Sequence, residues 1–370
     1  MKIGIDVSIL QRGGGVANYI YHLLEGFKQI GSEHQYKLFF NSVRKADLPI
    51  DRNFFKVRTT RIPNRILQLF WLYLRFPPVE WLLGDIDVFH SPAHSPVYAY
   101  CPHARKWVVT VHDLFTFKLN YDQKTQEKEM IVLRQIEQNA ERVIAVSNST
   151  RNDLLEIIPS LDSRVVVIPE GVDEKFYKER FFSNVLIKYG IQTPYILYLG
   201  AADSHKNLLR LVKVFKRLSE IIPHSMVFAG RITERYKAVI KLTNEINLQD
   251  RVVFAGAIEE NDLFSIYKGA DLLVLPSLYE GFGLVLLEAM ASGTPVVASN
   301  VSSIPEVAGN AAKLFDPYDE QDMYETIYTV ASDSNLREKM REEGLERSRL
   351  FSWEKMARET LRVYEEVAGS

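Results

Sequence analysis

The fold turns on one stretch, Asp271-Leu-Leu-Val-Leu275-Pro-Ser-Leu-Tyr-Glu280-Gly-Phe-Gly283-Leu-Val-Leu-Leu-Glu288-Ala-Met-Ala-Ser-Gly293-Thr-Pro295-Val-Val-Ala298. Residues 271–275 read as a short buried strand and 295–298 as a second. Between them a polar loop leads into an apolar helix that starts near Gly283 and stops at Ser292-Gly293. Strand, loop, helix and strand in this order form the crossover unit of a parallel sheet. The first N–H groups of such a helix lack intrahelical partners and its dipole is positive there, so the loop makes an anion site. Gly281 and Gly283 let a phosphate approach the backbone closely.

The same alternation runs outward in both directions. Upstream, apolar strands are expected at residues 195–199, 226–229 and 251–254, with an amphipathic helix over 208–222. A first series opens the chain. Residues 2–10 read as a buried strand, followed by Gly13-Gly14-Gly15 and a helix with Val16, Tyr19, Ile20, Leu23, Leu24 and Phe27 on one face. Further strands are expected at 36–40, 88–90, 106–111, 142–146 and 165–168. Residues 169–193 carry Pro, Gly, Lys175, Lys178, Glu179 and Arg180, and read as a linker with one short helix. The expectation is an α/β protein of two Rossmann-like domains facing each other across a cleft, spanning 1–170 and 171–353. Ligands in such sheets sit beyond the carboxyl ends of the strands.

The 370 residues are 46% apolar and 25% charged, with 45 basic and 47 acidic residues and a net charge of −2. That balance opposes a dedicated nucleic-acid binder. The single cysteine, Cys101, offers neither an internal disulfide nor a zinc cluster, and the cytoplasm is the expected compartment. Asp6 interrupts the first apolar run, against a signal peptide. No uncharged run reaches the ~20 residues of a membrane span. Residues 41–75 hold eight basic and two acidic residues, around the apolar segment 66–74 and its flanks Arg61, Arg65 and Arg75. Because apolar residues occupy every face of that segment, a core helix with a solvated basic edge is the preferred reading. The alternative is weak peripheral contact with anionic lipid.

A carboxylate at Glu288, inside so apolar a helix, costs several kcal/mol if unpaired. It therefore bonds either a ligand hydroxyl or a specific protein partner. Glu280 is either a ligand group or a favourable charge near a helix N-terminus, worth under about 1 kcal/mol. His90 and His94 end a strand and either touch an acceptor or line the cleft, while His22, His34, His103 and His224 read as surface or packing residues. Asp85-Ile-Asp87 has metal-site spacing but leads into an apolar strand, and reads as solvated strand entry. No metal site is expected.

The run from Glu280 to Glu288 matches the Glu-x7-Glu signature of retaining glycosyltransferases with the GT-B fold, family 4. Gly13-Gly14-Gly15, Asp87-Val-Phe-His90, Val111-His112-Asp113, Val143-Ile-Ala-Val-Ser147 and Ile168-Pro-Glu-Gly-Val-Asp173 are similar to its other segments, in the same order. The resemblance covers nearly the whole chain. It implies a metal-independent hexosyltransferase with no cofactor beyond its nucleotide-sugar donor, mannose from GDP-mannose being the first expectation and a UDP-hexose the next. The acceptor would be a saccharide or lipid-linked hydroxyl in polysaccharide biosynthesis. Glu280 would hold the donor sugar, Glu288 the ribose, and the backbone at Gly281, Phe282, Gly283 and Leu284 the diphosphate or sugar. Lys206 would neutralise the diphosphate, aided by Gly14 and Gly15. His112 would lie beside the transferred sugar, and Ala257 and Ile258 would meet the base. The helix of about 354–370 would pack back on the first domain. Two positions depart from the family pattern: Ala201 stands where an arginine is common, and Glu170 where asparagine is usual. His205 is then either a protonated substitute for that arginine or an exposed loop residue. A nucleotide-sugar 2-epimerase of the same fold, using His112 with Asp113, and a non-catalytic sugar-nucleotide-binding partner are the alternatives.

Overall fold

The computed structural model describes residues 1–31, 33–43, 48–74, 76–94, 106–119, 121–178 and 180–369. Arg75, Cys101, His103 and Glu179 lie outside the described residues. The chain divides into two compact units, Met1–Gly171 with Trp353–Ser370, and Val172–Ser352.

Among the described residues of the first unit, seven strands form one parallel sheet: β1 (Lys2–Asp6), β2 (Gln35–Asn41), β3 (Lys56–Thr60), β4 (Val88–Ser91), β5 (Trp107–Val111), β6 (Ala140–Ala145) and β7 (Val165–Val167). Their order is β3-β2-β1-β4-β5-β6-β7, so the direction of winding reverses between β1 and β4. β1 is shorter than the sequence suggests: the Asp6 carboxylate accepts the Ser8 N–H at 2.8 Å and turns the chain. Helix α1 (Gly15–Ile30) follows and buries Tyr19, Ile20, Leu23, Leu24 and Phe27. The C-terminal helix, Trp353–Gly369, packs on α1. Gly26 permits that contact, since a Cβ there would stand 2.5 Å from the Ala357 Cβ.

One expectation fails in this unit. The segment 66–74 is not a buried helix but α2 (Asn64–Leu69) continued by a π-helical turn, Phe70–Leu74. Leu67 and Trp71 enter the core, whereas Ile66, Leu69, Phe70 and Leu74 are exposed.

Six described strands build the parallel sheet of the second unit: β8 (Tyr195–Leu199), β9 (Ser225–Ala229), β10 (Val252–Gly256), β11 (Leu272–Leu275), β12 (Val296–Ser299) and β13 (Ala312–Phe315). Their order is β10-β9-β8-β11-β12-β13, and winding reverses between β8 and β11. α3 (Leu208–Leu218) follows β8 and α4 (Leu284–Ala291) follows β11. α3 buries Leu211, Val212, Val214, Phe215 and Leu218 in the core of this unit. Two short helices, Lys175–Lys178 and Ser183–Lys188, replace the one expected near the linker. Among the described residues no helix is long and apolar enough to cross a membrane.

Candidate functional site

β8 and β11 are neighbours from which the chain winds away in opposite directions, and sheets of this kind take ligands beyond the carboxyl ends of the strands at such a point. Both loops carry site residues expected from the sequence. After β8 the chain passes Gly200 (φ 153°) and makes a single turn, Ser204–Lys206. A Cβ at Gly230 would lie 2.2 Å from the Gly200 carbonyl oxygen, so only a glycine there lets the ends of β8 and β9 come this close. Asn207 (φ 58°) ends the turn in the left-handed region, and its amide donates to the Pro317 carbonyl at 2.9 Å. The fold itself therefore uses this side chain.

After β11 the loop meets that turn directly: the Leu278 N–H donates to the His205 carbonyl at 2.7 Å. Lys206 Nζ then reaches Glu280 Oε1 at 2.7 Å, and the Ser277 hydroxyl donates to the same oxygen at 2.6 Å. Burial would raise the Glu280 carboxyl, but Lys206 and Ser277 outweigh it and hold the group below its ordinary value. The backbone is clamped as well, with the Glu280 N–H donating to the Ser302 hydroxyl at 2.9 Å. The Ser303 hydroxyl lies 2.9 and 3.0 Å from the Glu280 and Phe282 carbonyls. Gly283 (φ 100°) is the N-cap of α4 and offers it no side-chain cap, and the Leu286 N–H donates to the Gly283 carbonyl at 3.0 Å. Lys206, Glu280, Gly281, Phe282, Gly283 and Leu284 thus gather at the strand ends. Ala257 and Ile258 follow β10, at the far edge of the same sheet.

One helical turn into α4 and beyond, Glu288 has the protein partner that its apolar setting demanded: Tyr267 donates to Oε2 at 2.7 Å. Burial nevertheless pushes its carboxyl up to about 7, against the opposing pull of Tyr267 and Lys175. Lys175 is itself paired with Glu260 at 2.6 Å. The sequence reading missed Ser302, Ser303, Tyr267 and Lys175, which act on these glutamates from distant parts of the chain, and also Ser277, which lies only three residues before Glu280. His205 fits neither of its expected roles. It is half-buried rather than exposed, and burial together with the Lys206 charge lowers its pKa to about 4. At that value the ring carries no positive charge at neutral pH, unlike the arginine it would replace.

The residues assigned to the first unit lie at the ends of its own strands. Gly14 (φ 89°) and Gly15 begin α1 beyond β1, again without a side-chain cap. His112 follows β5. Its Nδ1 is 3.0 Å from Glu170 Oε1 and its Nε2 is 2.8 Å from the Pro92 carbonyl oxygen. A carboxylate and a carbonyl can only accept, so both ring nitrogens must carry protons and the ring is an imidazolium. Burial opposes that charge, but Glu170 and the Pro92 carbonyl prevail and the pKa is raised. Glu170, the departure from the family pattern, is therefore the counterion of His112. His90 does not serve an acceptor: it is fully buried between Thr110 at 2.9 Å and Tyr364 at 2.5 Å, and burial drives its pKa down to about 3. His94 is buried against Glu129 at 3.0 Å. His224 is buried against Asp271, and His22 stacks on Trp353. Asp85 pairs with Lys2, while Asp87 accepts the Lys2 N–H at 2.8 Å.

Two parallel sheets with this winding define the GT-B architecture. Sucrose-phosphate synthase from Thermosynechococcus elongatus has the same fold, superposing over 100% of both chains with a TM-score of 0.81 at 24% identity. The profile of Glycosyltransferase Family 4 matches residues 13–176, and that of Glycosyl transferases group 1 matches residues 187–347. The chain belongs to glycosyltransferase family 4. Among its relatives is the O-antigen chain mannosyltransferase B of Escherichia coli, 28% identical over 77% of this chain and 76% of that protein. The serotype-specific mannosyltransferase WbdA of Escherichia coli is 30% identical over 67% of this chain. The match spans only 32% of WbdA's length, about a third.

Two predictions concern protonation, and an imidazole NMR titration reads both. His205 should stay neutral down to about pH 4; a transition near the usual ~6.5 would contradict its burial. The His112 transition should lie above the ordinary 6.5 and move to lower pH in Glu170→Gln, which removes the counterion. An unchanged His112 transition in that variant would show that Glu170 does not hold the charge.

Proposed function

We propose that this chain transfers a hexose from a nucleoside diphosphate sugar to an acceptor hydroxyl, with retention of configuration and without a metal ion. The observation that carries the reading is the ion pair Lys206–Glu280 at the switch point between β8 and β11, beside the uncapped start of α4. A diphosphate entering there offers Lys206 a second anionic partner and meets the N–H groups of Gly283 and Leu284. Glu280, ionised and released from the lysine, can accept hydrogen bonds from sugar hydroxyls. The ribose hydroxyls would replace Tyr267 on Glu288.

The bond from the anomeric carbon to the phosphate oxygen breaks, and its electron pair stays on the diphosphate. Lys206 and the backbone donors stabilise that charge, which is the largest demand of the step. The acceptor oxygen bonds the anomeric carbon on the face the phosphate leaves, and its proton passes to the departing phosphate oxygen. No protein nucleophile is needed. Charge neutralisation is assigned to Lys206 and the helix N-terminus. His112, a fixed cation in the first unit, is the group we assign to the transferred sugar.

The mannosyltransferase names of two relatives support mannose as the sugar, and the O-antigen chain of one supports a saccharide or lipid-linked acceptor. A thermal-shift panel of GDP-, UDP-, dTDP- and ADP-sugars identifies the donor, since a ligand at 100 times its Kd stabilises by about 2.7 kcal/mol.

The two glutamates should separate by ligand. Glu288→Ala should weaken the free nucleoside diphosphate by about tenfold or more, the worth of hydrogen bonds to a charged group. Glu280→Ala should keep that affinity and lose transfer. Calorimetric titration of both folded variants checks this, and equal losses of nucleotide affinity would contradict the assignment.

A further inference from the structure

Residues 56–83 contain five basic residues and one acidic residue, Glu80. In this stretch the side chains divide sharply between core and solvent. Leu67, Trp71, Val79 and Leu83 enter the core of the first unit, and the Trp71 indole N–H is fixed on the Pro77 carbonyl at 2.8 Å. On the solvent side, Ile66, Leu69, Phe70, Leu74, Phe76 and Trp81 are exposed. Ile66, Leu69 and Phe70 share one helix face by their spacing. The Phe76 N–H donates to the Phe70 carbonyl at 3.4 Å, and the Phe76 and Trp81 rings meet edge to face at 5.2 Å. Phe70, Phe76 and Trp81 are thereby brought together, with Ile66 and Leu69 on the helix face of Phe70. Trp81, 72% exposed, is its most open large residue. Apolar patches of this kind on a water-facing surface mark a contact site.

The rim decides the partner. Arg61 and Arg65 precede the patch, and Lys56 and Arg58 are exposed on β3, the edge strand of the sheet. Among the described residues none of these four cations has an ion pair. A second copy meeting this face about a two-fold axis would set these charges against their own kind. A surface of apolar rings edged by unpaired arginines and lysines instead suits an interface with hydrocarbon below and phosphate above.

We propose that this face of the first unit docks on a bilayer containing anionic lipid. Phe70, Leu74, Phe76 and Trp81 enter the headgroup boundary, while Arg61 and Arg65 lie against lipid phosphates. The protein rests on the membrane and does not span it. The proposal rests on the first unit alone and is independent of the donor reading.

The test uses the full chain and vesicles of phosphatidylcholine, alone or mixed with phosphatidylglycerol. Trp71, Trp107 and Trp353 are buried, so Trp81 is the one exposed reporter among the four tryptophans. At low salt the mixed vesicles should shift the fluorescence to the blue, and added salt should reverse the shift. Co-sedimentation of Arg61→Glu/Arg65→Glu and of Phe76→Ser/Trp81→Ser, each checked for unchanged thermal unfolding, should fall roughly tenfold or more. The sites altered are exposed, and Trp81→Phe provides a conservative control that should bind yet show no blue shift. Equal binding by all variants, no binding to the mixed vesicles, or equal binding to phosphatidylcholine alone would overturn the proposal. So would a dimer, seen by light scattering, that Phe76→Ser/Trp81→Ser converts to monomer, since the face would then belong to a second copy.

Discussion

The half-buried ion pair between Lys206 and Glu280 sets the terms for the second unit. An ammonium and a carboxylate removed from water are costly unless they meet each other and fill their remaining bonds. Here Ser277 supplies a further bond to the carboxylate, and the Leu278–His205 backbone bond fixes how far apart the two loops stand. Ser302 and Ser303, from the loop after β12, hold the Glu280 backbone from the other side. None of this could occur if β8 and β11 were not adjacent, and they are adjacent because the sheet reverses its winding there. Topology brings the pair together, and the pair keeps a cation ready where the fold leaves a helix start uncapped.

The first unit shows the same logic with a different cation. His112 stands at the end of a central strand, between an anion and a carbonyl that both require its protons. The chain has glutamate at position 170, and one consequence of that carboxylate is a histidine held charged despite burial. Each unit therefore holds a positive group beyond its strand ends.

Much of the fold was legible because its central strands are continuous apolar runs separated by glycine-marked loops. β3 and β13 were missed for the opposite reason. Both are edge strands, and Lys56-Val-Arg-Thr-Thr60 and Ala312-Lys-Leu-Phe315 mix polar with apolar residues as half-exposed strands do. At the site, Glu280 and Glu288 stood out from glycine and apolar surroundings and the family resemblance pointed to Lys206, but which side chain pairs with which was not visible. Tyr267 lies 21 residues from Glu288, and Lys206 lies 74 from Glu280, and spacing carries no signal over such separations. The state of His205 was not legible because burial, which lowers its pKa, is a property of the folded loop. The segment 66–74 was misread because an apolar residue on every helical face does not distinguish a core helix from one that offers an apolar face to solvent.

The account stands or falls on Lys206 acting on the leaving diphosphate without help from a metal. The most direct measurement is donor turnover by wild type and Lys206→Ala in the presence of EDTA, with thermal unfolding checked because the variant leaves Glu280 without its counterion. The account predicts that wild type stays active under these conditions and that the variant loses on the order of 10²–10³ in turnover, the usual effect of removing one such donor. Near-wild-type turnover by the variant, or a wild type that is silent until a divalent metal is restored, would contradict it.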